Sequence, residues 1–251
     1  MRDTAIDTVF FTRFLQTFLA QAHPCELGHK MKTEMVKARR GARARVLKII
    51  GLLEKEYPKA KIALNYRNPL ELLVATMLSA QCTDERVNIV TKTLFKKYRK
   101  PEDYADADLA ELGQDIKSTG FYRNKAKNVK KACQMLVEKF HSQVPKTMEE
   151  LLELPGVARK TANIVLSNVY GVVEGIAVDT HVHRTSKRLG FTENEDADRI
   201  EMDLMKIVPK DKWMRIADLL IFLGRNVCMA KKPKCETCVL NKICPSAFKF
   251  G

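Results

Sequence analysis

From residue 68 to residue 98 the chain reads NPLELLVATMLSAQCTDERVNIVTKTLFKKY, with apolar side chains three and four positions apart. The same spacing continues downstream, broken only by short turns that carry Pro, Gly or Asn, and no stretch alternates apolar and polar residues long enough to make a strand. That periodicity restricts the chain to an all-α fold. With 251 residues, 45% of them apolar, a buried core is available to it. Near the start, KIIGLLEKEYP (48–58) reads as a helix stopped by Pro58. The segment TVFFTRFLQTFLAQA (8–22) is interrupted by Arg13 and too short to span a bilayer. Its residues Phe10, Phe11, Phe14, Leu15, Phe18 and Leu19 instead fall on one face of an amphipathic helix. Met31 and Met35 come soon after, so residues 1–30 are expected to be an N-terminal extension that the working protein does not need.

The formal charge of +14 and a sequence pI near 9.5 do little for folding and attract polyanions. Nucleic acid is the leading partner on charge, although RNA-protein particles and anionic membrane surfaces offer the same attraction. The basic run VKARRGARARVLK (36–48) reads as a solvated tail. Seven cysteines, odd in number and unevenly placed, fit a reducing compartment better than a disulfide framework. Four of them, Cys228, Cys235, Cys238 and Cys244, are packed into CMAKKPKCETCVLNKIC. The pattern Cys-x6-Cys-x2-Cys-x5-Cys supplies four thiolates from one loop, enough for a tetrahedral zinc or for a [4Fe–4S] cluster. Spacing alone does not choose between them.

A faint repeat lies mid-chain. Gly120, Phe121, Arg123, Ala126 and Val129 precede Gly156, Val157, Arg159, Ala162 and Val165 by 36 positions. Each copy reads as an apolar helix, a glycine turn and a second helix opening with basic residues, a grammar any helix pair can share. In the second copy Thr147 and Glu150 form a capping box, Pro155 and Gly156 end the short helix, and Thr161 to Val169 continue at helical period. Backbone N–H groups at such a turn can hold a phosphate without reading bases.

LPGVARKTANIVLSNVYG followed by IAVDTHVHRTSKRLG resembles the helix-hairpin-helix and catalytic segment of the endonuclease III family of DNA glycosylases. MLSAQCTDERVN, IKSTGFYRNKAKNV and the cysteine segment are also similar to family stretches, so the likeness runs from about residue 31 to 251. Ala158 departs from it, standing where relatives usually carry a second hairpin glycine. The resemblance implies two helical domains with a DNA cleft between them. One is a six-helix bundle over 61–172 with the hairpin; the other joins 31–60 to 173–251 and holds an iron–sulfur cluster on Cys228, Cys235, Cys238 and Cys244.

It also implies a bifunctional glycosylase and AP lyase that excises oxidised pyrimidines from duplex DNA in base excision repair. Cutting a base from its sugar calls for a nucleophile, and an unprotonated lysine amine can form a Schiff base that permits β-elimination. Lys160, near a helix N-terminus and beside Arg159, is the expected nucleophile, with Asp179 as the carboxylate that steadies the cationic sugar. By itself Asp179 reads as the N-cap of THVHRTSKRLG. His181 and His183, two apart, read as structural or DNA-facing. Because a base inside a duplex is out of reach, the nucleotide must be extruded. Gln81 would fill the vacated space and Phe121 would wedge the opposite strand, while Gly156, Ala158, Lys231, Lys232 and Lys234 would hold the backbone. The expected partner is duplex DNA with damaged bases or abasic sites, met by a monomer without a membrane. Its place would be the cytoplasm and nucleoid of a prokaryote, or the nucleus or an organelle of a eukaryote. Two rivals remain: a monofunctional adenine or thymine mismatch glycosylase, which generally lacks the lysine, and a nucleic-acid-binding module with a structural zinc.

Overall fold

The computed structural model describes residues 41–250. The amphipathic helix expected at 8–22 and the boundary expected after residue 30 lie outside them. By contact the chain divides after Val46, and the helices from Leu47 onward belong to the second unit, Leu47–Gly251. Among the described residues every regular element is helical, and no helix is long and apolar enough to cross a membrane.

Helical residues 41–56 (α1) end where expected, just ahead of Pro58. After them come α2 (Pro69–Leu78), α3 (Asp84–Lys97), α4 (Pro101–Asp106), α5 (Leu109–Asp115) and the long α6 (Tyr122–Lys139). Next are α7 (Met148–Glu153), α8 (Arg159–Val165), α9 (Thr180–Arg188), α10 (Ala197–Ile207) and α11 (Trp213–Asn226). Helix starts are well marked: Asn68, Thr83, Asp108, Thr147, Asp179 and Asp196 each accept a backbone N–H from the first turn they cap. At Thr147 the capping box takes an altered form, because the Thr147 hydroxyl donates to Glu150 Oε2.

One apolar core runs from Leu64 to Leu166, with α2 at its centre buried from Leu70 to Leu78. α4 and α5 pack on α6, and α2 packs on α8. A further set of buried side chains, among them Val182, Ile200, Leu204, Ile216, Leu220 and Leu223, lies on α9, α10 and α11, and α9 packs on α11. The repeat is visible as two left-handed glycines, Gly120 at φ 73° and Gly156 at φ 81°. Gly156 also faces Asn128 of α6 so closely that a methyl there would lie 2.8 Å from its Cβ. The copies then diverge. α6 starts two residues after Gly120, α8 three residues after Gly156, and α8 widens into a π turn over Leu166–Tyr170 in place of the regular helix expected to Val169.

α8 is tied to its surroundings by Glu201 of α10, only 4% exposed. Its carboxylate accepts from Arg159 Nε at 2.7 Å, from Asn163 Nδ2 at 2.9 Å and from the Ile176 N–H at 3.1 Å. Gly175 is obligatory beside it, since a methyl at that position would overlap Glu201 Oε1. Removing one partner of such a buried set leaves the others desolvated and unmatched. Glu201→Ala is expected to cost about 3–5 kcal/mol of stability, read as a lower urea midpoint at unchanged slope.

Candidate functional site

α8 and the cap of α9 meet across a cleft of about 90 Å³ whose lining includes both Lys160 and Asp179. Lys160 is the second residue of α8, exposed, with Ala158 as an N-cap that offers no side-chain acceptor. Lys160 thus stands in the first turn of a short helix, and its neighbour Arg159 is paired with Glu201. Asp179 does cap its helix: Oδ1 accepts from the N–H groups of His181 at 2.9 Å and Val182 at 2.8 Å. Two bonds on one oxygen fix the carboxylate and leave Oδ2 without a partner among the described residues. Both histidines have partners within the fold, and His181 also lines a groove with Gln81. His181 Nδ1 meets Arg184 Nη2 at 3.1 Å and burial lowers its pKa, while His183 Nε2 lies 2.9 Å from the Glu195 carbonyl.

Gln81, Phe121 and Gly156 line a second cavity, of about 180 Å³. Gln81 at φ 53° and Phe121 at φ 47° both hold left-handed backbone, which strains residues with a Cβ. Both side chains are exposed, Phe121 to 65%. A shallower groove lined by Gln81, Asp84, Phe222 and Arg225 shares walls with this cavity and with the cleft. Asp84 and Arg225 are paired across it at 2.6 Å.

The two strained residues are held by a lysine that its local sequence does not mark. Lys125 is buried, and its ammonium donates to the Leu78 carbonyl at 2.8 Å and the Thr119 carbonyl at 2.7 Å. Leu78 ends α2 just ahead of Gln81, and Thr119 ends the 3₁₀ turn just ahead of Phe121. Burial lowers the pKa of the amine, an effect that two carbonyl acceptors at helix C-termini oppose.

The N–H groups of Gly156 and Ala158 make no hydrogen bond among the described residues, and Ala158 is exposed. Lys231, Lys232 and Lys234 are exposed and unpaired among the described residues, and they line neither the cleft nor the second cavity. They ride on a loop closed by a Lys234 N–H to Val227 carbonyl bond. Arg188 pins the same loop by donating to the Met229 and Ala230 carbonyls and to Cys228 Sγ at 3.4 Å.

Cys228, Cys235, Cys238 and Cys244 form no disulfide among the described residues and line one small, mostly apolar cavity of about 30 Å³. Burial raises the pKa of Cys238, and the other three thiols raise it further. By their chemistry four thiolates from one loop can hold a tetrahedral zinc or a [4Fe–4S] cluster.

Residues 74–210 match the model for the HhH-GPD superfamily base excision DNA repair proteins, and residues 228–244 match the iron-sulfur binding domain of endonuclease III. The match of residues 228–244 decides for the cluster over zinc. The chain is 53% identical to endonuclease III of Synechocystis sp. over 203 residues, covering 81% of this chain and 93% of the relative. It also superposes on an endonuclease III in a non-covalent DNA complex with a TM-score of 0.79 and 48% identity, covering 82% of this chain and 97% of that one. The same values hold for a trapped endonuclease III–DNA covalent intermediate with an estranged adenine.

This geometry carries two expected outcomes. Lys125→Met is expected to lower the preference for lesion over undamaged duplex about tenfold, roughly one lost charge-assisted hydrogen bond, measured by competition binding. Purified protein is expected to carry about four irons per chain and little zinc. Cys238→Ser should lose most of that iron and the visible absorbance, while Cys133→Ser, remote from the loop, keeps both.

Proposed function

The chain belongs to the endonuclease III family of base-excision-repair DNA glycosylases and AP lyases with a [4Fe–4S] cluster, and on that premise we propose that Lys160 and Asp179 carry its chemistry. The observation that supports this most directly is that an exposed amine at the start of α8 and a carboxylate with one uncommitted oxygen share a cleft. The substrate is an oxidised pyrimidine in duplex DNA, everted into that cleft.

Lys160 Nζ attacks C1′ of the everted nucleotide as the N-glycosidic bond breaks, and the base leaves with the bonding pair and takes up a proton. Asp179 Oδ2 faces the developing positive charge of the sugar and accepts the proton that the amine gives up. Once the sugar ring opens, Nζ and C1′ are joined as a Schiff base. Loss of a 2′ proton then breaks the C3′–O bond and releases the 3′ phosphate. Gln81 fills the emptied position in the stack and Phe121 wedges the facing strand, a costly insertion for which Lys125 holds both loops in place. Gly156 and Ala158 of the hairpin, with Lys231, Lys232 and Lys234, grip phosphates and make affinity fall with salt.

Cys228, Cys235, Cys238 and Cys244 hold the cluster, which on this reading keeps the basic loop in shape. The apolar core from Leu64 to Leu166 supports a lobe over 61–172, with 31–60 and 173–251 as the second lobe. A protein that works on DNA resides with it, in the cytoplasm and nucleoid of a bacterium. A mismatch glycosylase working through activated water has no need of an amine at this position, and a zinc-bearing binding module has none for either Lys160 or Asp179.

Borohydride added to protein and a duplex bearing thymine glycol should trap a covalent adduct, absent with Lys160→Ala. Asp179→Asn should slow base release about 100-fold or more. Strand incision by the native protein without any trappable adduct would remove the lyase mechanism.

A further inference from the structure

α11 turns one stripe of side chains into the cleft. Met214, Ala217, Asp218, Ile221, Phe222 and Arg225 all line it, at the three- and four-residue spacing of a single helix face. Arg225 is committed to Asp84, and the rest are apolar except Asp218. This carboxyl is partly buried and makes no hydrogen bond or ion pair among the described residues. Burial pushes its pKa up to about 6, with Arg215 pulling the other way. Arg215 gives it no hydrogen bond. That guanidinium donates to the carbonyls of Tyr57, Pro58 and Ala60 and lies 3.8 Å from Glu54. A lone carboxyl half withdrawn from water lowers stability at neutral pH, and the fold gains no internal contact from it. What it faces is the space shared by Lys160 and Asp179.

We propose that Asp218 reads the everted base, pairing as a neutral acid with the Watson–Crick edge of a damaged pyrimidine. The inference rests on the glycosylase reading of the cleft. A protonated carboxyl offers one O–H donor beside one carbonyl acceptor. A thymine-derived base presents N3–H and a ring carbonyl, to which the acid accepts and donates. A cytosine-derived base presents N3 and an amine, and the same acid meets them with its proton on the other oxygen. One group thus serves lesions from either pyrimidine, and two hydrogen bonds from one planar group also fix the ring's orientation over Lys160.

The proton is present when it is needed. The neutral form prevails below about pH 6 in the free protein. Phosphates arriving around the cleft and a base displacing its water both disfavour the charged form, so the transition moves upward in the complex. The charged groups lining the cleft are Lys61, Asp84, Lys160, Asp179 and Arg225, with Arg215 behind Asp218. From the packed neighbours, His181 of α9 lies against Gly224, and Lys212 ahead of α11 is paired with Glu54. All except Asp218 are shared by an Asp218→Asn variant, so their titration cancels in a ratio of rates.

Asn keeps the shape and presents one donor and one acceptor at every pH, whereas Leu presents neither. Single-turnover base release from thymine glycol duplex is therefore expected to give an Asp218→Asn to native ratio near one at pH 6. Toward pH 9 that ratio should rise by up to tenfold per unit above the carboxyl's pKa in the complex. Asp218→Leu should be slow throughout. On a preformed abasic site, which has no base to read, the Asn-to-native ratio should not vary with pH. A flat ratio on the lesion, the same pH trend on the abasic site, or an Asp218→Leu variant as fast as the native protein would each overturn the proposal. A native protein that traps on neither substrate would overturn the glycosylase reading itself, and with it this one.

Discussion

Glu201 holds the amine and the carboxylate of the cleft in one frame. Lys160 and Asp179 lie on different elements, with a π turn and an irregular segment between them. Glu201 reaches both sides at once: Arg159 and Asn163 flank Lys160 on α8, and Ile176 lies three residues ahead of Asp179. A buried ion pair contributes little net stability over an apolar substitute, because both charges lose their water. Its value is directional. Three donors converge from fixed angles, and an apolar contact would let α8 slide by a fraction of a turn where this set does not. A shift of about 1 Å in a nucleophile costs rate on the order of 100-fold. Gly175 is the local counterpart of that requirement, since the carboxylate occupies the space any other residue's Cβ would take.

Much of the fold was legible because it is written locally. Helix-period apolar spacing, Asn68 ahead of Pro69, Asp179 ahead of THVHR and the two left-handed glycines each act within a few residues. The four-thiol loop was legible for the same reason. Glu201, Lys125 and Asp218 were not, because each is a charged residue on an amphipathic helix whose surroundings are set by distant parts of the chain. Lys125 meets Leu78, 47 positions away, and Glu201 meets Arg159, 42 positions away. Nothing within EMDLMKI separates Glu201 from a solvent-facing glutamate. The Arg159 reading erred for this reason: a basic neighbour of Lys160 in sequence proved to be a structural cation facing a buried carboxylate. The repeat misled more mildly. Its five matches place the glycines correctly, yet Phe121 in the first copy takes the left-handed conformation directly, while Ala158 in the second is extended.

The cysteine loop is joined to the same frame through α9. Asp179 caps that helix, and Arg184, one turn on, donates to the carbonyls of Cys228 and Gly224. Arg188, a further turn on, holds the carbonyls of Met229 and Ala230. One helix therefore carries the proposed catalytic carboxylate at its start and the anchor of the cysteine loop at its end. Basic residues in its last turn also suit the negative end of its dipole. Loss of the metal would free the Cys228 end of this chain of bonds while leaving the Asp179 cap, which is made by the helix's own N–H groups, in place.

The features that work against stability line the cleft and the second cavity. Gln81 and Phe121 hold strained backbone, Phe121 exposes an apolar ring, Lys125 buries an ammonium, and Asp218 keeps a carboxyl partly out of water with no partner. A chain selected only to fold would replace each of them: glycine at the first two positions, an apolar residue at the others. Their coincidence around two cavities joined by one groove is what distinguishes a working surface from a packed one. The signs of the costs differ in a way that matches a bent duplex. On the proposed reading the strained and apolar residues part the base pairs, and the amines that grip phosphates are exposed. On the same reading the lone acid, set inside, completes its hydrogen bonds only with an everted base.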